Sequence, residues 1–300
     1  MTNHLTLFTA PKAFDGITDI NQRRAIKSWA EIPGVGEIFL LGKEAGIAEF
    51  TTYLRATYPT VLIKHIPDIE VSPRGVPCIP SLFKTAIDAS SNDWICYANS
   101  DVVLMKDIRF ALLWLDKPVL VFGSHYDIPL DYQSHLNSLI ERTWNEEDLR
   151  NRVAQIGGKI HTHGLDYFIF HKSMFQNLKP FILGRGTWDN YLLYYAKRVD
   201  KAPLIDATKV ITCLHQEHGY KSDLVMTPVG YYKGPEAIYN YRLTEDYDEV
   251  MTIHDADLVG DLTASSYPIL YLRRSRLRFI KPVIELKKWI MWHIRMHMLQ

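Results

Sequence analysis

Short apolar runs alternate with amphipathic stretches from Leu5 to about Lys197, and this rhythm constrains the fold more than any single motif does. Leu5–Thr9, Glu37–Leu41, Val61–Ile66, the run from Trp94 to Asn99, Val119–Phe122 and Tyr167–Phe170 have the length and the β-branched or aromatic content of strands. Between them lie helix signals. Asp19 can cap a helix through Trp29 whose core stripe is Ile20, Ala25, Ile26 and Trp29. A second helix is expected over Ala45–Tyr58. Pro80 opens a third that closes near Ser90-Ser91, and Trp188 to Lys197 forms a later one with Trp188, Leu192 and Tyr195 on one side. Strands and helices in this order predict an α/β fold, a mostly parallel sheet flanked by helices on both faces. With 300 residues and 47% hydrophobic content the chain can bury a sizeable core.

Composition narrows the function classes. The 34 basic and 34 acidic residues cancel, so the whole chain carries no electrostatic footprint for nucleic acid. Cys78, Cys96 and Cys213 are widely spaced and sit mostly among apolar residues, which predicts reduced core thiols in a cytoplasmic protein, not a disulfide frame or a zinc site. The N-terminus has no charged region followed by an apolar one, so no signal peptide is expected. No apolar run has the length of a membrane span.

The chemistry concentrates at strand ends. Trp94-Ile-Cys-Tyr-Ala-Asn-Ser-Asp-Val-Val-Leu104 delivers Asn99, Ser100 and Asp101 to the end of a buried-type strand. Open α/β sheets bind ligands outside the carboxyl ends of their strands, and carboxylate oxygens there can hold a divalent cation. A strand closing in a polar turn gives the same pattern without a ligand. Further along stand Gly164-Leu-Asp-Tyr-Phe-Ile-Phe170, Gly184-Arg-Gly-Thr-Trp-Asp-Asn190 and His215-Gln-Glu-His-Gly-Tyr220. Taken in this order, the segments resemble the GT-A glycosyltransferases that use nucleotide-sugar donors. Within them they are similar to a bacterial and plant branch with a Tyr-x-Asn-x-Asp strand end, a Trp-Asp-Asn and a His-Gln-x-His. The resemblance runs from about Leu5 to Tyr220. One departure stands out: the superfamily's metal motif is Asp-x-Asp, and Asn99 occupies its first position, which leaves metal dependence open.

The resemblance implies a GT-A-like (Rossmann-like) sheet and a set of roles. Asp101 is the metal ligand, joined by His215 or His218 from a late loop. His215 is favoured as the residue nearest the end of a strand expected over Val210–Leu214. Imidazole suits manganese (Mn2+) better than magnesium (Mg2+). Asn99 touches the ribose or a metal-bound water, with Ser100 beside it. Asp189, opening a helix after the glycines 184 and 186, is the general base that takes the acceptor proton, although a helix cap explains an Asp there equally. Arg185 meets phosphate or acceptor, Trp188 offers a sugar ring an apolar face, and Asp166 binds donor or acceptor hydroxyls or caps the turn after Gly164. The base is expected near Thr9, Ala10 and Pro11 and near Glu44, and Arg74 before the third helix meets phosphate or base. Ordinary surface loops would show the same Glu44 and Arg74.

Beyond Arg273 the chain is basic: Arg273, Arg274, Arg276, Arg278, Lys281, Lys287, Lys288 and Arg295 face the single acid Glu285. Val283, Leu286, Trp289, Ile290 and Ile294 recur between them at helical spacing. Such a C-terminal amphipathic helical tail suits an anionic membrane surface, through residues 273–299, or packs on the core or a partner subunit. The expected organisation is a catalytic domain over residues 1–220, acceptor-side loops over 221–270, and the basic helix over 271–300. The expected activity is transfer of a sugar from a nucleoside-diphosphate sugar to a hydroxyl of a glycan or lipid-linked acceptor, with inversion, at the inner face of the membrane or in the cytoplasm. Two alternatives remain at this level: a nucleotidyltransferase, for which Thr9-Ala-Pro-Lys12 is a poor phosphate loop, and a catalytically silent nucleotide or glycan binder, which Asn99 favours.

Overall fold

A computed structural model describes residues 4–128, 164–218, 234–244, 251–263 and 267–273, with isolated helical positions at 147, 151, 153 and 155. In chain order the elements are β1 (Leu5–Thr9), α1 (Gly16–Ala30), β2 (Val35–Leu41), α2 (Ile47–Thr57), β3 (Leu62–Ile66), α3 (Ile79–Ala89), β4 (Trp94–Ala98) and β5 (Val102–Leu104). A 3-10 helix (Lys106–Trp114), β6 (Leu120–Gly123), β7 (Tyr126–Ile128) and β8 (Tyr167–His171) follow. Then come α4 (Trp188–Arg198), β9 (Leu204–Asp206), β10 (Cys213–Gln216), α5 (Pro235–Arg242), β11 (Leu258–Leu262) and β12 (Pro268–Leu272).

The main sheet has nine strands in the order β12-β11-β9-β6-β8-β4-β1-β2-β3. All neighbours pair in parallel except β8, which runs against both β4 and β6, and β12, which runs against β11. Alternate side chains of the inner strands enter two separate cores. Leu7, Cys96 and Ile169 join Trp29, Ile26 and Phe50 on one face. Phe8, Tyr97 and Phe170 join Phe83, Leu192 and Trp188 on the other. Burial on both faces is why these strands read as continuous apolar runs. A smaller sheet, β5-β10-β7, stands over one end of the large one, with β10 antiparallel to β5 and parallel to β7.

The main elements follow the sequence reading, with differences of physical origin. Helix α1 begins at Gly16 with Asp15 at the cap position, so Asp19 falls in the first turn and accepts a 2.7 Å bond from Arg23 instead of capping. Ile20 is 39% exposed and leaves the core stripe. The helix buries polar residues in its place: Asn21, Gln22, Arg24 and Ser28. The strand expected over Val210–Leu214 lies at Cys213–Gln216, because the backbone turns at Ala207 with bonds from Val210 and Ile211. The stretch 221–270 is not only loops: it carries α5 and β11, and β11 with β12 widens the main sheet, so the sheet continues past residue 220. Of the basic tail only Arg273 is described, paired with Asp206 just beyond β12; residues 274–300, with the expected helix, lie outside the described residues. Among the described residues no helix is long and apolar enough to cross a membrane.

Trp29 ties α1 to the short strand after Asp101. Its ring is fully buried and its Nε1 donates to the Val102 carbonyl at 2.9 Å. Replacing Trp29 with Phe keeps most of the apolar contact but leaves that carbonyl unpaired. Trp29→Phe is expected to lower the unfolding free energy by about 1–3 kcal/mol, read from urea denaturation midpoints.

Candidate functional site

The reversal of β8 brings its start to the same edge as the end of β4. Asn99 therefore meets Asp166: the Asn99 backbone N–H donates to the Asp166 carbonyl at 3.0 Å and Asn99 Nδ2 to Asp166 Oδ1 at 2.6 Å. Tyr97 OH donates to Asn99 Oδ1 at 2.8 Å. Both ends of the Asn99 amide are thus engaged within the protein, which a carboxylate at this position could not achieve, since it has no N–H to donate. Ser100 Oγ donates to Gln22 Oε1 on α1, and the Lys12 backbone N–H donates to the same oxygen, joining the loop after β1 to the turn after β4.

Asp101, His215 and His218 converge beyond that turn. One oxygen or nitrogen from each lies within 4.8 Å of the others. His218 Nε2 is 2.9 Å from Asp101 Oδ2. His215 sits inside β10, held opposite Val102 and Asp127 by strand pairing, and His218 follows just after the strand. Gln216, fully buried between them, donates from Nε2 to the backbone carbonyls of Asp101 and Asn21, each at 2.9 Å, and accepts from Arg24 at 3.0 Å. Burial works against ionising Asp101, but the His218 hydrogen bond and the charges of His215, Lys12 and His218 outweigh it and hold the carboxyl down at about 2. A deprotonated carboxylate with two imidazoles fits a divalent transition cation, and a mixed oxygen and nitrogen set suits manganese better than magnesium.

A second set of groups was not visible in the sequence. His125, between β6 and β7, is 5% exposed and pairs with Asp166 through Nδ1. Its Nε2 lies 3.2 Å from Asp127 Oδ1, and His215 Nδ1 lies 3.2 Å from the same oxygen. Burial alone would depress the His125 ring, but Asp166 and Asp127 raise it above the ordinary imidazole range. Asp166 is likewise held low against its burial by the charge and hydrogen bond of His125. With its oxygens facing Asn99 and His125 and only 7% exposure, Asp166 holds the site together and is not placed to meet a substrate hydroxyl.

Asp189 occupies the first turn of α4. Thr187 takes the cap position there with φ +63° and no side-chain cap bond. Burial, with Asp166 adding repulsion, pushes the Asp189 carboxyl up to about 6 against hydrogen bonds from backbone N–H groups. Other expectations fare differently. Trp188 is 5% exposed, its ring covered by Tyr97 and Phe168, so it has no face for a sugar. Arg185 Nε is paired at 2.8 Å with Glu236 of α5. Glu44 and Arg74 are exposed loop residues. Pro11 is buried and Ala10 partly so, while Thr9, at the carboxyl end of β1, is buried with no hydrogen-bond partner for its hydroxyl among the described residues. Cys78, Cys96 and Cys213 are free thiols.

No protein-family model and no curated protein matches the chain. Solved structures overlap with it in part. Staphylococcus aureus TarS residues 1–349 in complex with UDP-GlcNAc is 12% identical, with 42% of this chain and 36% of that chain covered and a TM-score of 0.33, so the match spans little more than a third of that chain. Glucosyl-3-phosphoglycerate synthase from Mycobacterium tuberculosis, in complex with Mn2+, UDP and phosphoglyceric acid, is 14% identical over 72% of each chain, with a TM-score of 0.42. HddC from Yersinia pseudotuberculosis is 12% identical, covering 72% of this chain and 93% of that one, with a TM-score of 0.40.

The raised Asp189 carboxyl has a consequence for stability. The unfolded chain titrates this group near 3.8 and the folded chain near 6, so between these values the folded state binds the extra proton. Stability falls as pH rises through that interval, and the loss is complete above it. Asp189→Asn removes the ionisation and is expected to stabilise the protein by about 2–3 kcal/mol at pH 8, with no gain below pH ~4. Urea midpoints of both proteins at the two pH values measure this.

Proposed function

We propose that the chain is a GT-A-like glycosyltransferase that moves a sugar from a nucleoside-diphosphate sugar to a hydroxyl of a glycan or lipid-linked glycan acceptor. The observation that carries this reading is the convergence of Asp101, His215 and His218 at the carboxyl edge of the parallel strands. The proton-accepting Asp189 opens α4 near Asp166 of the same edge. The resemblance in the sequence assigns these same residues. The missing first carboxylate of the metal motif is met by the second histidine. Asn99 has become a strut to Asp166, and Asp101, His215 and His218 supply the ligand atoms.

In this reading Asp189, ionised above about pH 6, accepts the proton of the acceptor hydroxyl. The hydroxyl oxygen forms its bond to the anomeric carbon while the bond from that carbon to the diphosphate oxygen breaks, the electron pair leaving with the diphosphate. Attack from the side opposite the leaving group gives inversion. A divalent cation held by Asp101, His215 and His218 would neutralise the charge growing on the diphosphate. Gln216 and the Tyr97–Asn99–Asp166 chain fix Asp101 before any substrate arrives, so little rearrangement is needed during the reaction. Thr9, whose hydroxyl has no hydrogen-bond partner among the described residues, borders the nucleotide side. The stretch after residue 220 supplies the acceptor side, and the basic tail draws the enzyme to an anionic membrane carrying the acceptor.

Purified protein screened by thermal shift against UDP, GDP, CDP, ADP, dTDP and CMP, with and without Mn2+, is expected to respond to one nucleotide only when the cation is present. Binding to the folded state alone raises the melting temperature by mass action. Asp101→Asn should abolish the response; a nucleotide-specific shift that ignores both cation and Asp101 would sink the metal assignment. With the donor so named, kcat should rise with pH through about 6 and level off, and Asp189→Asn should lower kcat by about 10²–10⁴ with nucleotide binding kept.

A further inference from the structure

We propose that His125, Asp127 and His215 form a second cation site, next to the one at Asp101 and His218 and sharing His215 with it. The candidate ligand atoms are His125 Nε2, Asp127 Oδ1 and His215 Nδ1. Both nitrogens stand 3.2 Å from the same carboxylate oxygen, and all three lie within 4.8 Å of one another. Ligand bonds of about 2.0–2.2 Å in a tetrahedral set place neighbouring ligand atoms about 3.3–3.6 Å apart, close to the 3.2 Å at which both nitrogens stand from Asp127 Oδ1.

The site is built into the backbone. Asp127 and His215 are register partners on the parallel strands β7 and β10, and His125 enters from the residue before β7. His125 also has the support typical of a metal-bound histidine: its other ring nitrogen is held by the buried carboxylate of Asp166, which fixes the ring and turns Nε2 toward Asp127. Asp166 is itself fixed by Asn99. Two imidazoles and one carboxylate select a borderline dication such as Zn2+ or Co2+ over Mg2+ or Ca2+. The lone-pair directions of the two His215 nitrogens diverge, so with Nδ1 serving this site only Nε2 can serve Asp101 and His218. One imidazole thereby couples the two positions, and filling both at once requires the ring to give up its proton.

The site stands whether or not the chain transfers a sugar, and its test counts ions. Co2+ is the probe, with equilibrium dialysis for the count and the visible absorption band for nitrogen and oxygen ligation. Protein carrying Asp101→Asn and His218→Ala together should keep one bound Co2+ per chain, and adding Asp127→Asn should remove it. If the folded double variant binds no Co2+, the proposal is overturned: His125, Asp127 and His215 are then linked by protons alone. Should the double variant fail to fold, the wild-type chain is expected to bind two Co2+ and Asp127→Asn one, since Asp127 is partly exposed and tolerates the isosteric change. Equal counts in those two proteins overturn the site. A loss of nucleotide response with these counts intact would instead remove the transferase reading and leave the site standing.

Discussion

Asp166 is the group on which the rest of the site depends. It is a buried carboxylate at the start of the one strand that runs against its neighbours in the middle of the sheet, and it receives Asn99 on one side and His125 on the other. An unpaired charge at this depth would be strongly unfavourable, so the positions of both partners are set by the need to satisfy it. Asn99 fixes the turn that carries Asp101. His125 leads into β7, which holds β10 and its His215 in register. The antiparallel strand thus does more than complete the sheet: it supplies the charge that draws the end of β4 and the small upper sheet together.

The polar face of α1 does the same work from the other side. Gln22 accepts from Ser100 and from the backbone of Lys12, Arg24 reaches Gln216, and Gln216 in turn binds the Asp101 carbonyl. A helix packed on a sheet ordinarily buries an apolar stripe. Here the half facing the upper sheet buries amides and a guanidinium, each with a partner, and fully paired polar networks of this kind favour a single arrangement. Two carboxylates at this edge take opposite protonation behaviour from their surroundings. Asp101, among histidines, is held down at about 2, while Asp189, desolvated by burial and repelled by Asp166, rises to about 6. One is suited to holding positive charge and the other to accepting a proton.

Much of this frame was legible in the sequence because local pattern and global role coincide. Leu5–Thr9, Trp94–Ala98 and Trp188–Arg198 carry continuous apolar runs or a helical stripe that tertiary contacts only reinforce. The Asn-Ser-Asp turn and the His-Gln-x-His segment stand out because polar residues that can hold a cation close strands of the sheets. The direction of β8 was not legible, since a strand has the same periodicity whichever way it runs. His125 and Asp127 escaped notice because His-Tyr-Asp carries no spacing of its own and gains meaning only beside β10. Trp188 misled for the opposite reason: an aromatic next to a catalytic candidate suggests a sugar platform, whereas Tyr97 and Phe168 cover it.

By itself the sequence determined the alternation of strands and helices and the two-faced burial of the central strands, because these follow from periodicity, while its resemblance to the GT-A glycosyltransferases singled out Asp101, Asp189, His215 and His218 as candidates. Tertiary structure alone decided which of them meet. Asp166 joins Asn99 across 67 positions, and His218 joins Asp101 across 117. Contacts at such separation depend on strand order and direction, which are set by packing the whole chain into one low-energy arrangement and leave no local trace along it.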